Sequence, residues 1–236
     1  VSVALIRPEA IAAAHITSPQ ELLNKTSGVE VLDGQASIRG GSGFSYGAGS
    51  RVMALVDGLP MLSADAGSIR WRSLPFENIA RVEIIKGASS VLYGSSALNG
   101  IINFRMAEAT TEGHSGFMAE SSVFGSPGNR DWKWWDTPRS TFAASFSHLK
   151  KYGHTDIGIS TFLLADQGYR KRNDEYFGRL SLRLTRHHAR VQGLAYGLNL
   201  STGLTRKQDF ILWENAWEGA LIQDVSTASD LNGRFL

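Results

Sequence analysis

Between Met61 and Arg72, side chains of complementary chemistry fall close together: Leu62, Ser63, Asp65, Ser68, Arg70 and Trp71. A carboxylate, hydroxyls, a cation and an indole suit a polar ligand with an apolar face, since a few oriented polar groups fix such a ligand while apolar ones exclude water. Trp71 has a second reading as a packed anchor. A second concentration, Arg130, Asp131, Trp132, Lys133, Trp134, Trp135 and Asp136, lies on a polar link. Its indoles could stack on sugar rings or aromatic chelators, cover a neighbouring loop, or sit at a lipid interface; the residues alone leave all three open. Arg81 and Glu83 stand two apart on one face of a predicted strand, as part of a larger charge network or as an ordinary surface pair.

Catalytic chemistry finds little support. His15, His114, His148 and His154 are scattered, while adjacent His187 and His188 point to opposite faces of a strand, so no histidine-carboxylate cluster has metal-ligand spacing. Gly87-Ala88-Ser89-Ser90-Val91 lacks the final glycine of a nucleophile elbow. The glycines at 40, 41, 43, 47 and 49 miss the dinucleotide fingerprint, because Tyr46 stands where the third glycine belongs and no acidic residue follows at the right distance. Asp57-Gly58 reads as turn chemistry. The chain is therefore not expected to be an enzyme or to carry a cofactor or resident metal.

The elements that must hold these residues follow two grammars. The 236 residues are 42% hydrophobic with a formal charge of +2, enough apolar content for a core and too little charge to argue for nucleic acid. There is no cysteine, which removes disulfides and thiolate sites. Up to about Met106, short helices and strands alternate with glycine. Pro8 to Ala14 reads as a helix with proline in its first turn. Ser18-Pro19-Gln20-Glu21 reads as a capping box opening a second helix that Gly28 ends. Strands are predicted at Val29 to Leu32, Val52 to Val56 and Val82 to Ile85. From about Gly113 the pattern becomes period-two alternation over roughly ten residues, with Phe142, Ala144 and Phe146 on one face, and with Ile157, Ile159 and Leu163 opposite Asp156 and Ser160. Leu180, Leu182 and Leu184 alternate with Arg179, Ser181 and Arg183, which asks for lipid on one side and water on the other. In Val191 to Leu200 the phase switches near Leu194. The predicted links alternate long and short: Gly125 to Arg139, Lys150 to Gly153, Asp166 to Glu175, Arg186 to His188, then a long tail from Ser201. This suits an outer-membrane barrel, whose periplasmic turns are short and extracellular loops long; a soluble meander with unequal loops is the alternative.

Three ordered motifs favour the barrel. Ile38-Arg39-Gly40, Leu55-Val56-Asp57-Gly58-Leu59-Pro60 and the stretch Pro75 to Phe104, with Val82-Glu83-Ile84-Ile85-Lys86-Gly87-Ala88-Ser89-Ser90 at its centre, resemble the plug domain of TonB-dependent outer-membrane receptors over about residues 1–106. The resemblance implies an α+β plug globule at 1–108, followed at 109–236 by the N-terminal antiparallel strands of a large transmembrane β-barrel. Five clear strands cannot close around a plug, and barrels of this kind use about 22. A fragment, or a larger protein described in part, ending at Leu236 inside or just after an extracellular loop, is expected. Val1 to Ile6 lack a secretory signal, and no TonB-binding segment is recognisable. The resemblance also implies an outer-membrane location, TonB, lipid and a small-molecule or oligosaccharide ligand as partners, and import of a scarce nutrient such as a siderophore, cobalamin or oligosaccharide. Recognition or signalling without transport is the alternative. It places ligand contacts on outward plug loops, here Asp33 to Ala36 and Met61 to Arg72. It further implies that Arg39 and Lys86, with Arg81 and Glu83 as candidate members, lock plug to barrel through wall carboxylates. Lysine at 86 keeps the charge of the family's arginine but loses its bidentate fork.

Overall fold

Two sheets of different logic divide the chain at Glu108, into units Val1–Glu108 and Ala109–Leu236. The computed structural model describes residues 2–7, 18–32, 34–41, 44–45, 49–63, 67–87, 93–128, 133–169, 173–191, 193–210 and 228–235. The first unit runs β1 (Ser2–Ile6), α1 (Pro19–Asn24), β2 (Val29–Leu32), β3 (Gln35–Ile38), β4 (Phe44–Ser45), β5 (Gly49–Ser50), β6 (Val52–Val56), β7 (Leu59–Pro60), β8 (Ile79–Lys86) and β9 (Gly100–Met106). Its main sheet has the order β1-β8-β9-β6-β7, with β2–β3 and β4–β5 as separate hairpins. Central β6 and β9 pair in parallel and are nearly continuously apolar because both faces are covered. Val52, Ala54, Ile102 and Phe104 join one core with Leu23, Ile38 and Leu74. Met53, Leu55 and Ile101 pack with Ala97 on the other side.

Two backbone positions fix this sheet. Val56 pairs with Leu59 across Asp57-Gly58, and φ of 49° and 85° at the two turn residues gives the two-residue hairpin geometry that Asp-Gly favours. At Gly100, with φ +149°, a Cβ would lie 2.4 Å from the carbonyl oxygen of Ile85. Only glycine lets β9 start beside β8 there.

The helix starts at the predicted place but without the predicted cap. The Ser18 hydroxyl donates to Gln20 Oε1 at 3.4 Å instead of accepting an end amide, and the Glu21 carboxylate lies 3.6 Å from Lys25 Nζ. Gly28 does not end it either. The helix stops at Asn24, whose side-chain amide bonds both the N–H and the C=O of Val31, so the chain turns early to tie α1 to β2. The helix expected at Pro8 to Ala14 lies outside the described residues.

The second unit is an antiparallel meander of β10 (His114–Val123), β11 (Ser140–Tyr152), β12 (Thr155–Asp166), β13 (Glu175–His187), β14 (Ala195–Phe210) and β15 (Ala228–Phe235). Six strands stand where five were expected. Ser201 to Phe210 is strand, not tail: Leu204 continues the outward series of Tyr196, Leu198 and Leu200, and Thr202, Gly203 and Thr205 around it disguise it as a polar link. The phase switch near Leu194 also dissolves, because Leu194 precedes β14 and belongs to the turn, where His188 Nδ1 accepts the N–H groups of Arg190 and Val191. That turn is longer than the predicted Arg186 to His188.

Register sorts the strands into two faces. Phe117, Phe146, Thr161, Leu180 and Thr202 lie in one outward row. Leu180 is 50% exposed and Arg179, its neighbour on the opposite face, 5%. Outward rows end in Phe142 and Tyr176 beside the long links and in Tyr152 and Tyr196 beside the short turns. Ten residues of β11 separate Phe142 from Tyr152, which at ~3.3 Å per residue and a ~45° tilt spans roughly 23 Å. An outer-membrane barrel has an apolar band of ~25 Å between aromatic girdles. The inward row Ser147, Ser160, Ser181 and Ser201 is uniformly small and hydroxylated.

Candidate functional site

The Met61–Arg72 segment is built as a pinned loop. A backbone bridge joins Leu62 to Ile69. Below the tip, the Ser63 and Ser68 hydroxyls lie 3.0 Å apart, Ser68 N–H donates to Ser63 Oγ at 3.1 Å, and Ser63 N–H donates to the Ser68 carbonyl at 2.8 Å. Ser63 is buried, so this pair holds the base of the loop. Asp65 lies outside the described residues; Arg70 is exposed at the loop's exit. Trp71 is 5% exposed, meets Phe104 edge-on at 6.3 Å, and donates its indole N–H to the Gly34 carbonyl at 2.7 Å. The geometry matches the anchor reading of Trp71. It also joins the two expected contact loops, for Gly34 sits in the β2–β3 turn. That turn is shorter than the expected Asp33 to Ala36 loop, because Gln35 and Ala36 already belong to β3 and Ala36 is buried.

The lock candidates divide into two pairs on opposite faces of β8. Lys86 shares the phase of buried Val82 and Ile84, whereas Arg81 and Glu83 point the other way. Lys86 Nζ donates to the Ser27 carbonyl, and Arg39 N–H donates to the neighbouring Gly28 carbonyl at 2.9 Å. The Arg39 guanidinium donates to Ser2 Oγ at 2.6 Å, and Ser2 is the strand partner of Lys86. Both cations thus meet at one corner, at the far end of the short β2–β3 hairpin from Gly34. Arg39 holds φ at 56°, a left-handed conformation that costs a side-chain-bearing residue about 1 to 2 kcal/mol.

On the other face Glu83 collects donors. Arg81 Nε lies 2.9 Å from Oε1, and Arg105 Nε and Asn103 Nδ2 both lie 3.0 Å from Oε2. Asn103 Oδ1 in turn accepts Gly58 N–H at 3.1 Å, which ties the Asp57-Gly58 turn to the cluster. Burial pushes the Glu83 pKa up, but bonds and charge from Arg81 and Arg105 outweigh this and hold it below the ordinary carboxylate value. Sequence reading missed Asn103 and Arg105. Their signal is two polar residues, two apart, in the otherwise apolar Gly100 to Met106.

In the second unit, the links after β10 and β12 are fastened together. The Arg139 guanidinium lies 4.6 Å from the Trp134 ring centre, donates to the carbonyls of Gln167 and Gly168, and pairs with Asp174. Trp134 donates its indole N–H to the Tyr169 carbonyl at 3.0 Å, and buried Trp135 packs edge-on against Tyr169 at 5.3 Å. Of the three uses open to these indoles, covering a neighbouring loop is the one that Trp134 and Trp135 adopt. Arg130, Asp131 and Trp132 lie outside the described residues.

Residues 1–101 match the family described as the TonB-dependent receptor plug domain. The chain is 29% identical over 146 residues to the vitamin B12 transporter BtuB of Photobacterium profundum, covering 55% of this chain and 23% of that protein. To BtuB of Vibrio vulnificus it is 37% identical over 103 residues, 43% of this chain and 17% of the relative. Among solved structures, the ferric yersiniabactin uptake receptor FyuA of Yersinia pestis superposes with a TM-score of 0.69 at 17% identity, over 99% of this chain and 36% of that one. The siderophore receptor PirA of Pseudomonas aeruginosa gives 0.61 at 22% identity, over 87% and 34%. The chain thus spans less than a quarter of the length of these curated relatives. Residues 1–101 thus carry the plug domain of TonB-dependent receptors, and the strands after them have the fold of the corresponding part of these solved receptors.

Proposed function

We propose that this chain is the plug and first barrel strands of an importer that binds a scarce nutrient at the cell surface and admits it with energy delivered by TonB. One observation carries this reading: the plug-domain match is followed, on the same chain, by strands whose outward face is mostly apolar between two aromatic rims, with His148 and Lys150 of β11 among its charged or polar exceptions. The ligand class is that of cobalamin, a siderophore or an oligosaccharide. Relatives named for vitamin B12 transport and siderophore uptake support the first two. A metal carried by a siderophore would be cargo, and the protein needs no cofactor of its own.

In this reading Asp65 and Arg70 supply the charged ligand contacts. Leu62, Ser63 and Ser68 set the loop's shape, and Trp71 fixes its position against the Gly34 turn. Arg39 and Lys86 form one contact with carboxylates of the barrel wall. Arg81 and Glu83, with Arg105, stiffen the opposite face, so that a pull on the plug is transmitted through a sheet instead of dissipated. The test is accumulation of labelled cobalamin and ferric siderophores by cells producing the complete receptor, with and without a collapsed proton gradient. One ligand should bind in both conditions and accumulate only in energised cells. A ligand that binds and never accumulates would establish recognition without transport.

A further inference from the structure

In the parallel pair of β6 and β9, Asp57 N–H donates to the Phe104 carbonyl at 2.9 Å, the last backbone rung before β6 turns away. The next rung of such a ladder would run from Met106 N–H to the Asp57 carbonyl. Asp57, at φ 49°, has left the strand conformation, and Met106 N–H donates instead to its side chain, Oδ1, at 3.0 Å. The carboxylate stands in for a backbone acceptor. Met106 is buried, so without Oδ1 its amide would carry the cost of desolvation unrepaid. Gly58 N–H adds a second tie from the same turn, to Asn103 Oδ1 at 3.1 Å, and on the β8 side Ala107 N–H donates to the Asn78 carbonyl at 2.7 Å. These bonds gather where the chain leaves the first unit, at Glu108.

The residue type separates the turn from the tie. Glycine takes a left-handed backbone more easily than aspartate does, so the turn alone does not call for a carboxylate. Aspartate and asparagine combine that conformation with a side-chain acceptor. We infer that Asp57 is a positioning residue for import: its carboxylate clasps the end of β9, so that a load on the plug ends at this strand and does not pass into the chain that follows. This role rests on the reading of the chain as part of an energised importer.

The test compares Asp57→Gly, which keeps the turn and removes the acceptor, with Asp57→Asn, which keeps both, in the complete receptor, with assembly checked by heat-modifiable migration. Hydrogen exchange is followed in peptides covering 103–109. Asp57→Gly should exchange faster there by about tenfold or more, the effect of one lost hydrogen bond to a charged group, and Asp57→Asn should stay near wild type. In cells given labelled cobalamin and ferric siderophores, Asp57→Gly should bind ligand with unchanged affinity and lose energised accumulation. Asp57→Asn should retain it. Unchanged exchange in Asp57→Gly, or equal acceleration in both variants, would overturn the clasp. Faster exchange in Asp57→Gly with full accumulation would overturn its part in import. Failure of wild type itself to accumulate any ligand would defeat the importer reading, while exchange would still decide whether the clasp exists.

Discussion

Arg39 adopts a conformation that glycine would take more easily, which separates what its backbone needs from what its charge does. Arg39→Gly relieves the left-handed strain while loosening the unfolded chain, effects of similar size, so plug stability should change by less than about 1 kcal/mol. If the guanidinium secures the plug, protease cleavage of the plug in intact outer membranes should still rise by about tenfold. Resistance equal to wild type would make Arg39 a turn residue only. Asp65 and Arg70 are tested together: alanine at both should lower ligand affinity by roughly tenfold or more while heat-modifiable migration on gels stays normal. Glu83 adds a pH signature. Its pKa is lowered from an ordinary 4.5, so the stability it contributes is complete above that value and is lost as pH falls through the depressed one. Glu83→Gln should therefore flatten the decline of plug melting temperature between neutral pH and about pH 3. An unchanged slope would leave the decline to other carboxylates.

At the scale of elements, strands were readable wherever one face is apolar and the other polar. Leu180, Leu182 and Leu184 against Arg179 and Arg183 give β13 unaided, and Asp57-Gly58 gives its turn. What could not be read depends on partners distant in sequence. Glu21 was free, on paper, to complete a cap, yet it lies beside Lys25, and Asn24 ends the helix for a partner on β2. β14 was cut short because Thr and Gly on an inward face look like a link. The use of Trp134 and Trp135 depended on Tyr169 and Arg139, set beside them by strand pairing. That latch makes its own prediction. Trp135→Ala removes a buried ring worth about 3 to 5 kcal/mol of local stability, so hydrogen exchange in both links should quicken together. Acceleration confined to residues 133–139 would mean that the links are held independently.

At the scale of the whole molecule, a plug that holds a pinned loop and two charged clusters is followed by strands that divide lipid from water. Ligand capture and energy coupling both require the second unit to cross the outer membrane in the phase its register gives. Nitroxide labels placed singly at 179 to 184 in the complete receptor, in native-like bilayers, test this directly. Oxygen dissolved in lipid should relax labels at 180, 182 and 184, and a water-soluble nickel chelate should favour 179, 181 and 183. Reversed phase, or equal access of the chelate to all six positions, would contradict a membrane-crossing strand and with it the receptor built on it.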